Sequence, residues 1–234
     1  MSTGKAPEPS CYDPRSMPQL PPDVMPEIVK GDLSEEQLQA HLRSAEVAVD
    51  TETLGLQTLR DRLCVVQLCD RNGRASLVQI PRPDPALPAE RRAPRLKRLL
   101  EEPKVLKVLH FARFDVAAVS HYLGIRMAPI YCTRTASKLV RTYTDRHGLK
   151  DCALELLDIE MDKAARHTDW SSETLTREQV RYAISDVTFL LPLKDRLHAM
   201  LVRQGRVELA QACFGAIPVM SDLDVLGFLN LFEH

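Results

Sequence analysis

Three segments of β-strand composition follow one another closely in the first half of the chain, and this spacing constrains the fold more than any other feature. They cover residues 47–52, 63–68 and 75–80. Short spacers separate them, and the second spacer contains Arg71-Asn72-Gly73-Arg74, a turn-forming sequence. Short spacers of this kind join neighbouring antiparallel strands. The sequence therefore predicts a set of β-hairpins in this part of the chain.

Further along the chain, apolar strand-like runs alternate with helical patterns. We expect a buried strand at 105–109 and a short strand ending at Tyr131-Cys132. The predicted helices cover 34–42, 94–100, 114–123, 133–141, 149–157, a long stretch from 176 that Pro192 should kink or break, and 207–214. Hairpins followed by alternating strands and helices predict an α/β fold with a mixed central sheet flanked by helices.

Composition divides the chain into three parts. Residues 1–25 are rich in proline and small polar residues, so we predict a flexible extension there. Residues 26–205 are predicted to form one domain, followed by a C-terminal helix and tail at 206–234. The apolar stretch at 225–229 is expected either to fold back on its own subunit or to pack against a neighbouring one.

The charge balance and the cysteines limit the class of protein. The chain carries 31 basic and 32 acidic residues, a net charge of −1, which argues against coating of long nucleic-acid duplexes. The six cysteines lack CxxC spacing and predict reduced thiols in a cytoplasmic protein rather than a zinc site. No apolar run approaches the roughly 20 residues of a membrane helix. The sequence has no GxSxG motif, the motif that would indicate an acyl hydrolase.

Acidic residues follow several of these segments. Asp50 and Glu52 are two apart in a predicted strand, so they share a face. Paired carboxylates are unfavourable unless a cation neutralises them, and their oxygens suit Mg²⁺ or Mn²⁺. Asp115 follows the next buried strand, while Tyr182 and Asp186 are four apart on one helix face. Each feature alone has an ordinary structural explanation: a solvated strand end, an acid at a helix start, or a hydrogen bond at the edge of the core. Their combination in this order is more informative than any one of them.

This order of residues resembles the DEDD exonuclease superfamily in its tyrosine-bearing branch. The flanking sequences are similar to the ribonuclease D group, and within it to the small nanoRNase C (NrnC-like) enzymes. The matching segments are VAVDTETLGL, DRLCVVQLCD, HFARFD, YCTRTASKLVRTYTDRHGLK and TDWSSETLTREQVRYAISDV. The similarity extends from about residue 27 to the C-terminus.

The resemblance implies a ribonuclease H-like fold of the DnaQ exonuclease type, two divalent cations (Mg²⁺ or Mn²⁺) and 3′→5′ hydrolysis that releases nucleoside 5′-monophosphates. Asp50, Glu52 and Asp186 would hold the first cation. Asp50 would bridge to the second, which Asp115 would hold directly or through water. Tyr182 would position the attacking water and help to deprotonate it. Because the free pKa of tyrosine is near 10, we expect orientation to be its main role.

The resemblance also suggests where substrate binds. Gly55 could hold the terminal sugar through a backbone turn, and Leu56 could wedge between the last two bases. Phe111 stands where many superfamily members have asparagine, so it could stack on a base or pack in the core. The further candidates for substrate contact are Thr51, His110, Arg113, Lys138, Arg146 and His147, with Arg141 also considered for phosphate and Trp170 expected to be structural.

Substrate length and assembly follow from the same comparison. Large ribonuclease D enzymes carry extra C-terminal helical domains, whereas only a short stretch follows the long predicted helix here. We therefore expect short RNA substrates, down to dinucleotides, and a homo-oligomeric ring of up to eight subunits. Two alternatives remain open: an exonuclease acting on longer RNA or on DNA, and a nuclease-fold binding protein without catalysis.

Overall fold

The computed structural model describes residues 26, 28–161, 168–228 and 231 of the chain. The flexible extension predicted for residues 1–25 lies outside this described part, as does Leu229 of the apolar tail. In the described part, no helix combines the length and the apolar character that a membrane crossing requires.

A six-stranded mixed sheet forms the centre of the molecule. Its strands are β1 (Ile28–Lys30), β2 (Glu46–Thr53), β3 (Leu63–Asp70), β4 (Ala75–Gln79), β5 (Leu106–Leu109) and β6 (Ile130–Cys132). The spatial order is β1-β4-β3-β2-β5-β6. β2, β3 and β4 pair antiparallel, as the short spacers predict, and β1, β5 and β6 each pair parallel to a neighbour. The predicted α/β class with a mixed sheet is confirmed.

Eight α-helices flank the sheet in the part of the chain that the structure describes. They are α1 (Glu35–Leu42), α2 (Pro94–Leu100), α3 (Ala112–Leu123), α4 (Thr133–Val140), α5 (Leu149–Leu157), α6 (Arg177–Thr188), α7 (Leu190–Arg203) and α8 (Val207–Val225). Capping boxes at Ser34 and Thr176 begin α1 and α6. In each, the hydroxyl accepts a hydrogen bond from the backbone N–H of the third helical residue, a glutamine. The side-chain oxygen of that glutamine accepts one from the backbone N–H of the capping residue. Gly124, in the left-handed region, ends α3.

Two elements differ from the prediction. The long helix breaks at Phe189, before Pro192, and Pro192 lies in the first turn of α7, where its missing N–H costs little. The strand β1 has only three residues, too few for a recognisable sequence pattern, and exists because it pairs with β4.

The last helix was predicted to end at Phe214, but α8 continues through Pro218 to Val225. Its second half is held by α3: Arg113 forms two 2.7 Å hydrogen bonds to Asp224, and Ser221 donates to the Arg113 carbonyl over 2.9 Å. These contacts offset the hydrogen bond that a proline removes inside a helix.

Two apolar clusters pack against the sheet in the described part of the chain. The larger cluster includes Val47, Val49 and Val66 of the sheet together with apolar side chains from most of the helices. The smaller one packs α6 against Val65 and Leu77 and includes the buried indole of Trp170. Val65 and Leu77 lie on the same face of the sheet as Asp50 and Glu52, so α6 lies across the face that positions the candidate site.

Candidate active site

Two carboxylates project from β2 toward α6. The pairing of β2 with β3 stays in register from Val47 to Glu52, so Asp50 and Glu52 share one face of the sheet. Asp186 reaches them from α6. The ligand oxygens of these three acids lie within 4.8 Å of one another. Side chains from two elements thus form one carboxylate cluster.

Like charges at this separation perturb one another. Burial, followed by the charges of Asp115, Asp186 and Glu52, raises the pKa of Asp50 well above its ordinary value. A backbone hydrogen bond at Thr51 opposes this rise. The ionised cluster is therefore unfavourable by itself, and an all-carboxylate donor set is what a hard divalent cation prefers.

Asp115 stands beside this cluster, in the first turn of α3. Its Oδ1 accepts a hydrogen bond from Oγ1 of Thr51 over 2.6 Å. Burial raises the pKa of Asp115 to about 7, although the hydrogen bond from the Thr51 side chain favours the ionised form. The helix N-terminus also favours a negative charge at this position. Asp115 is thereby fixed next to β2 in a defined orientation.

Tyr182 lies one turn before Asp186 on α6 and turns its phenol toward the acids. Burial, then the charges of Asp186 and Glu52, raise the pKa of Tyr182 above its ordinary value, and the hydroxyl is hydrogen-bonded to Asp186. Its ring lies 6.1 Å from the buried ring of Trp170, measured between centroids. The structure therefore brings together all five residues predicted for the catalytic site, and it gives Trp170 the structural position expected for it.

His110 directly follows β5, the strand that pairs with β2. Its Nδ1 lies 2.9 Å from Oγ1 of Thr133, and burial lowers the pKa of His110 to about 4. The imidazole is thus neutral at physiological pH. Its Nε2 is also buried, and a backbone hydrogen bond with His147 opposes the lowering of the pKa.

Phe111 adopts a left-handed backbone conformation, with φ at 64°. A bulky residue rarely occupies this region, and such strain is common at functional sites. The ring is 48% exposed, so it does not belong to the core, one of the two positions that the sequence allowed. The guanidinium carbon of Arg134 lies 4.5 Å from the ring centroid. Sequence reasoning missed this half-buried arginine, because its position over the Phe111 ring depends on tertiary contacts and not on any local pattern.

The loop after β2 holds Gly55 and Leu56. A Cβ at Gly55 would come within 2.3 Å of Oδ2 of Asp61, so the close approach of these two residues requires glycine. Oγ1 of Thr53 also donates to the Gly55 carbonyl over 2.6 Å. Leu56 extends outward with 86% of its surface exposed. The loop is thus held firmly at Gly55 while the Leu56 side chain remains available for contact.

The basic candidates have different surroundings. Lys138 is exposed, and Arg146 is exposed and pairs with Asp151. Nδ1 of His147 lies 2.9 Å from Oγ of Ser137, and burial followed by nearby positive charges lowers the pKa of His147. Arg113 is engaged by Asp224 in the contact between α3 and α8.

Arg141, considered for phosphate contact, is fully buried. Its guanidinium donates to Oγ of Ser137, to the carbonyl of Arg146 and to Glu155. A side chain with no exposed surface cannot reach a phosphate group, so this expectation is wrong. Arg141 instead joins α4, the following loop and α5.

A family model described as a 3′–5′ exonuclease matches residues 26–202 of the chain. Ribonuclease D of Acidiphilium cryptum is 36% identical over 162 residues, which cover 69% of this chain and 39% of that protein. Ribonuclease D of Gluconacetobacter diazotrophicus is 34% identical over 166 residues, 71% of this chain and 40% of that protein. The chain thus spans about two fifths of the length of these relatives.

Solved structures extend the similarity over nearly the whole chain. Brucella melitensis NrnC with bound Mg²⁺ is 41% identical with a TM-score of 0.81, covering 90% of this chain and 100% of that one. NrnC of the same organism bound to pGG is 41% identical with a TM-score of 0.82, covering 91% and 100%. Ribonuclease D of Escherichia coli shares the fold at 22% identity and a TM-score of 0.70, covering 84% and 50%. The chain therefore belongs to the 3′–5′ exonuclease family, in the branch that holds ribonuclease D and NrnC.

Proposed function

We propose that this chain hydrolyses short oligoribonucleotides from the 3′ end, down to dinucleotides, and releases nucleoside 5′-monophosphates. The observation that carries the proposal is the cluster of Asp50, Glu52 and Asp186, with Asp115 and the phenol of Tyr182 beside it. Family membership supports the reaction type. The dinucleotide pGG in the similar Brucella melitensis NrnC supports the substrate class.

The residues fit a pair of divalent cations, Mg²⁺ or Mn²⁺. Burial, followed by the charges of the neighbouring acids, raises the pKa of Asp50, as expected for carboxylates arranged to share a cation. Asp50, Glu52 and Asp186 would hold one ion, and Asp50 and Asp115 the other. When bound, two such ions neutralise charge on the attacking and leaving oxygens of a phosphodiester. Brucella melitensis NrnC with bound Mg²⁺ supports this assignment.

Tyr182 is assigned the positioning of the attacking water. Burial and the neighbouring carboxylates raise the pKa of its phenol, so the hydroxyl keeps its proton at neutral pH. A protonated phenol orients a water molecule by hydrogen bonding but does not remove its proton. The hydrogen bond between Tyr182 and Asp186 keeps the hydroxyl directed at the cluster.

Substrate contacts are assigned to both sides of the carboxylates. Leu56 is exposed next to β2, and Phe111 presents half of its ring after β5. Base stacking on an aromatic ring tolerates any base, which suits an enzyme that degrades short RNA of mixed sequence. Thr51, Gly55, His110, Lys138, Arg146 and His147 remain candidates for holding the sugar and phosphate groups. Arg113 remains the weakest of the set, because Asp224 already engages it.

Digestion of 5′-labelled RNA and DNA from two to twenty nucleotides, with Mg²⁺, Mn²⁺ or EDTA, tests this proposal. We expect cation-dependent release of mononucleotides, with dinucleotides and trinucleotides of RNA consumed fastest. Preference for long RNA or for DNA would replace the substrate class. Absence of any cation-dependent release would reject the catalytic function itself.

We further propose a homo-oligomeric ring, up to an octamer. Apolar side chains on α7, α8 and the segment that follows are exposed in the single chain. They are Val202, Leu209, Val219, Leu226, Phe228 and Leu231. Large exposed apolar patches mark contact surfaces between proteins, and these side chains are the candidates for such a patch. Sedimentation velocity should show an assembly, and a profile of monomer alone at micromolar concentration would reject the ring.

A further inference from the structure

Gln67 is the cross-strand neighbour of Asp50. The register of β2 and β3 pairs these two residues directly, with no irregularity before Glu52. In an antiparallel pair, such partners point to the same face and their Cβ atoms lie about 4.5–5.5 Å apart. The side chains of Gln67 and Asp50 therefore lie side by side on the face that α6 covers.

The described residues around Gln67 give its side-chain amide no hydrogen-bond partner. On its other side, β4 places Leu77, which packs in the apolar cluster beneath α6. Gln67 has no exposed surface. Neither Nε2 nor Oε1 has a hydrogen-bond partner among the residues that the structure describes. A buried amide without partners is unfavourable, and native proteins retain few of them.

We propose that Gln67 is a positioning residue for the cation site, and that its amide Nε2 donates a hydrogen bond to the Asp50 carboxylate when cations occupy the cluster. Asp50 is the ligand assigned to both cations, so its orientation determines the geometry of both positions. Its hydrogen bonding otherwise comes from the backbone at Thr51. Carboxylate ligands of metals are commonly held by a second hydrogen-bonded partner, whose loss weakens metal affinity by roughly 10–100-fold.

The inference rests on the proposed cation-dependent function. The sequence alone does not indicate this role for Gln67. Every residue of β3 is buried, and a glutamine among apolar residues is usually interpreted as part of the core. An amide is also suited to this place. It donates to a carboxylate without adding a charge, whereas a lysine or arginine would compete with the cation for the same oxygens.

The test is a cation titration of the protein without substrate. After removal of metal with EDTA and dialysis, the melting temperature is followed against Mg²⁺ and Mn²⁺ for the wild type, Gln67→Met and Leu68→Met. Methionine keeps the length of the glutamine side chain but has no amide. Leu68→Met is the matched control, since Leu68 is the adjacent buried residue, points to the opposite face and accepts a change of similar volume.

We expect the midpoint of cation-induced stabilisation to rise 10–100-fold in Gln67→Met and to stay at the wild-type value in Leu68→Met. The metal-free melting temperature of Gln67→Met should equal or exceed that of the wild type, because an unpaired buried amide is removed. Raising Mn²⁺ should restore the exonuclease rate of Gln67→Met. A purely structural glutamine would show the reverse: lower metal-free stability with an unchanged midpoint.

Two outcomes overturn the inference separately from the proposed function. A wild-type midpoint in Gln67→Met rejects the role of Gln67 while leaving the cation site intact. A wild type that no cation stabilises rejects the cation site, and the role of Gln67 with it. Should Gln67→Met unfold before its midpoint can be read, isothermal titration of cation at low temperature measures the same affinity on the folded protein.

Discussion

The hydroxyl of Thr51 donates a 2.6 Å hydrogen bond to Oδ1 of Asp115, joining β2 to the first turn of α3. Thr51 lies between Asp50 and Glu52 in the sequence. The same strand therefore supplies two acids of the cluster and the hydroxyl that binds Asp115. This contact fixes Asp115 relative to the other carboxylates. It also favours the ionised form of Asp115.

Thr51→Val tests this contact, because valine has the shape of threonine without its hydroxyl. Loss of the hydrogen bond raises the pKa of Asp115 further above its ordinary value. We expect exonuclease activity to fall about tenfold at neutral pH, consistent with a hydrogen bond to a charged group of about 1.5–3 kcal/mol. The loss should be larger at pH 6 than at pH 8, where more of Asp115 is ionised. Thr51→Ser keeps the hydroxyl and should stay close to the wild type.

Asp50→Asn should abolish activity yet stabilise the cation-free protein. The unfolded chain loses the Asp50 proton near 3.8, whereas the folded protein retains it to higher pH because its pKa is raised. Folded-state stability therefore falls as pH rises above 3.8 through this window, and asparagine removes that loss. Melting temperatures in EDTA should match the wild type near pH 4 and exceed it by a growing margin toward pH 8. If Asp50→Asn melts at pH 8 at the wild-type temperature or below it, the ionised Asp50 carboxylate does not destabilise the cation-free protein.

Tyr182→Phe separates orientation of water from folding. Phenylalanine keeps the ring beside Trp170 but lacks the hydroxyl, so the melting temperature should change little. We expect kcat to fall by about 10²-fold, the order of loss that misplacement of a reacting group causes, with KM almost unchanged. The measurement is steady-state hydrolysis of a dinucleotide at neutral pH. Full activity would remove Tyr182 from the mechanism.

Phe111→Leu tests base stacking. Leucine retains an apolar side chain at this half-exposed position but has no aromatic face. We expect dinucleotide binding to weaken by about 1–3 kcal/mol, the usual contribution of one stacked base, with little loss of stability. Binding is measured on the inactive Asp50→Asn background to prevent turnover. Wild-type affinity would show that the ring contacts Arg134 alone.

Arg141→Met tests the buried guanidinium. Its removal leaves the Arg146 carbonyl and the Ser137 hydroxyl without this donor. We expect a loss of about 2–3 kcal/mol in the free energy of unfolding, as for a buried polar network that loses one member. Arg146→Met is the matched control, since its pair with Asp151 is at the surface and should cost about 1 kcal/mol or less. Equal losses in urea titrations of the two variants would contradict the difference in burial.

The local part of the structure was predictable from the sequence. The boundaries of α2 and α5, the caps at Ser34 and Thr176 and the hairpins of β2, β3 and β4 follow from short-range patterns. The ends of β1 and α8 do not, because the first depends on pairing with β4 and the second on packing against α3.

Two relations follow from the amino-acid sequence alone. Asp50 and Glu52 share a strand face, and Tyr182 and Asp186 share a helix face, since both relations depend only on the repeat of one element. Tertiary structure alone decided that these two faces meet, that Arg141 is buried while Arg146 is exposed, and that Gln67 lies beside Asp50. Those relations join residues distant along the chain. Their distances depend on strand register and helix packing, which no local periodicity encodes.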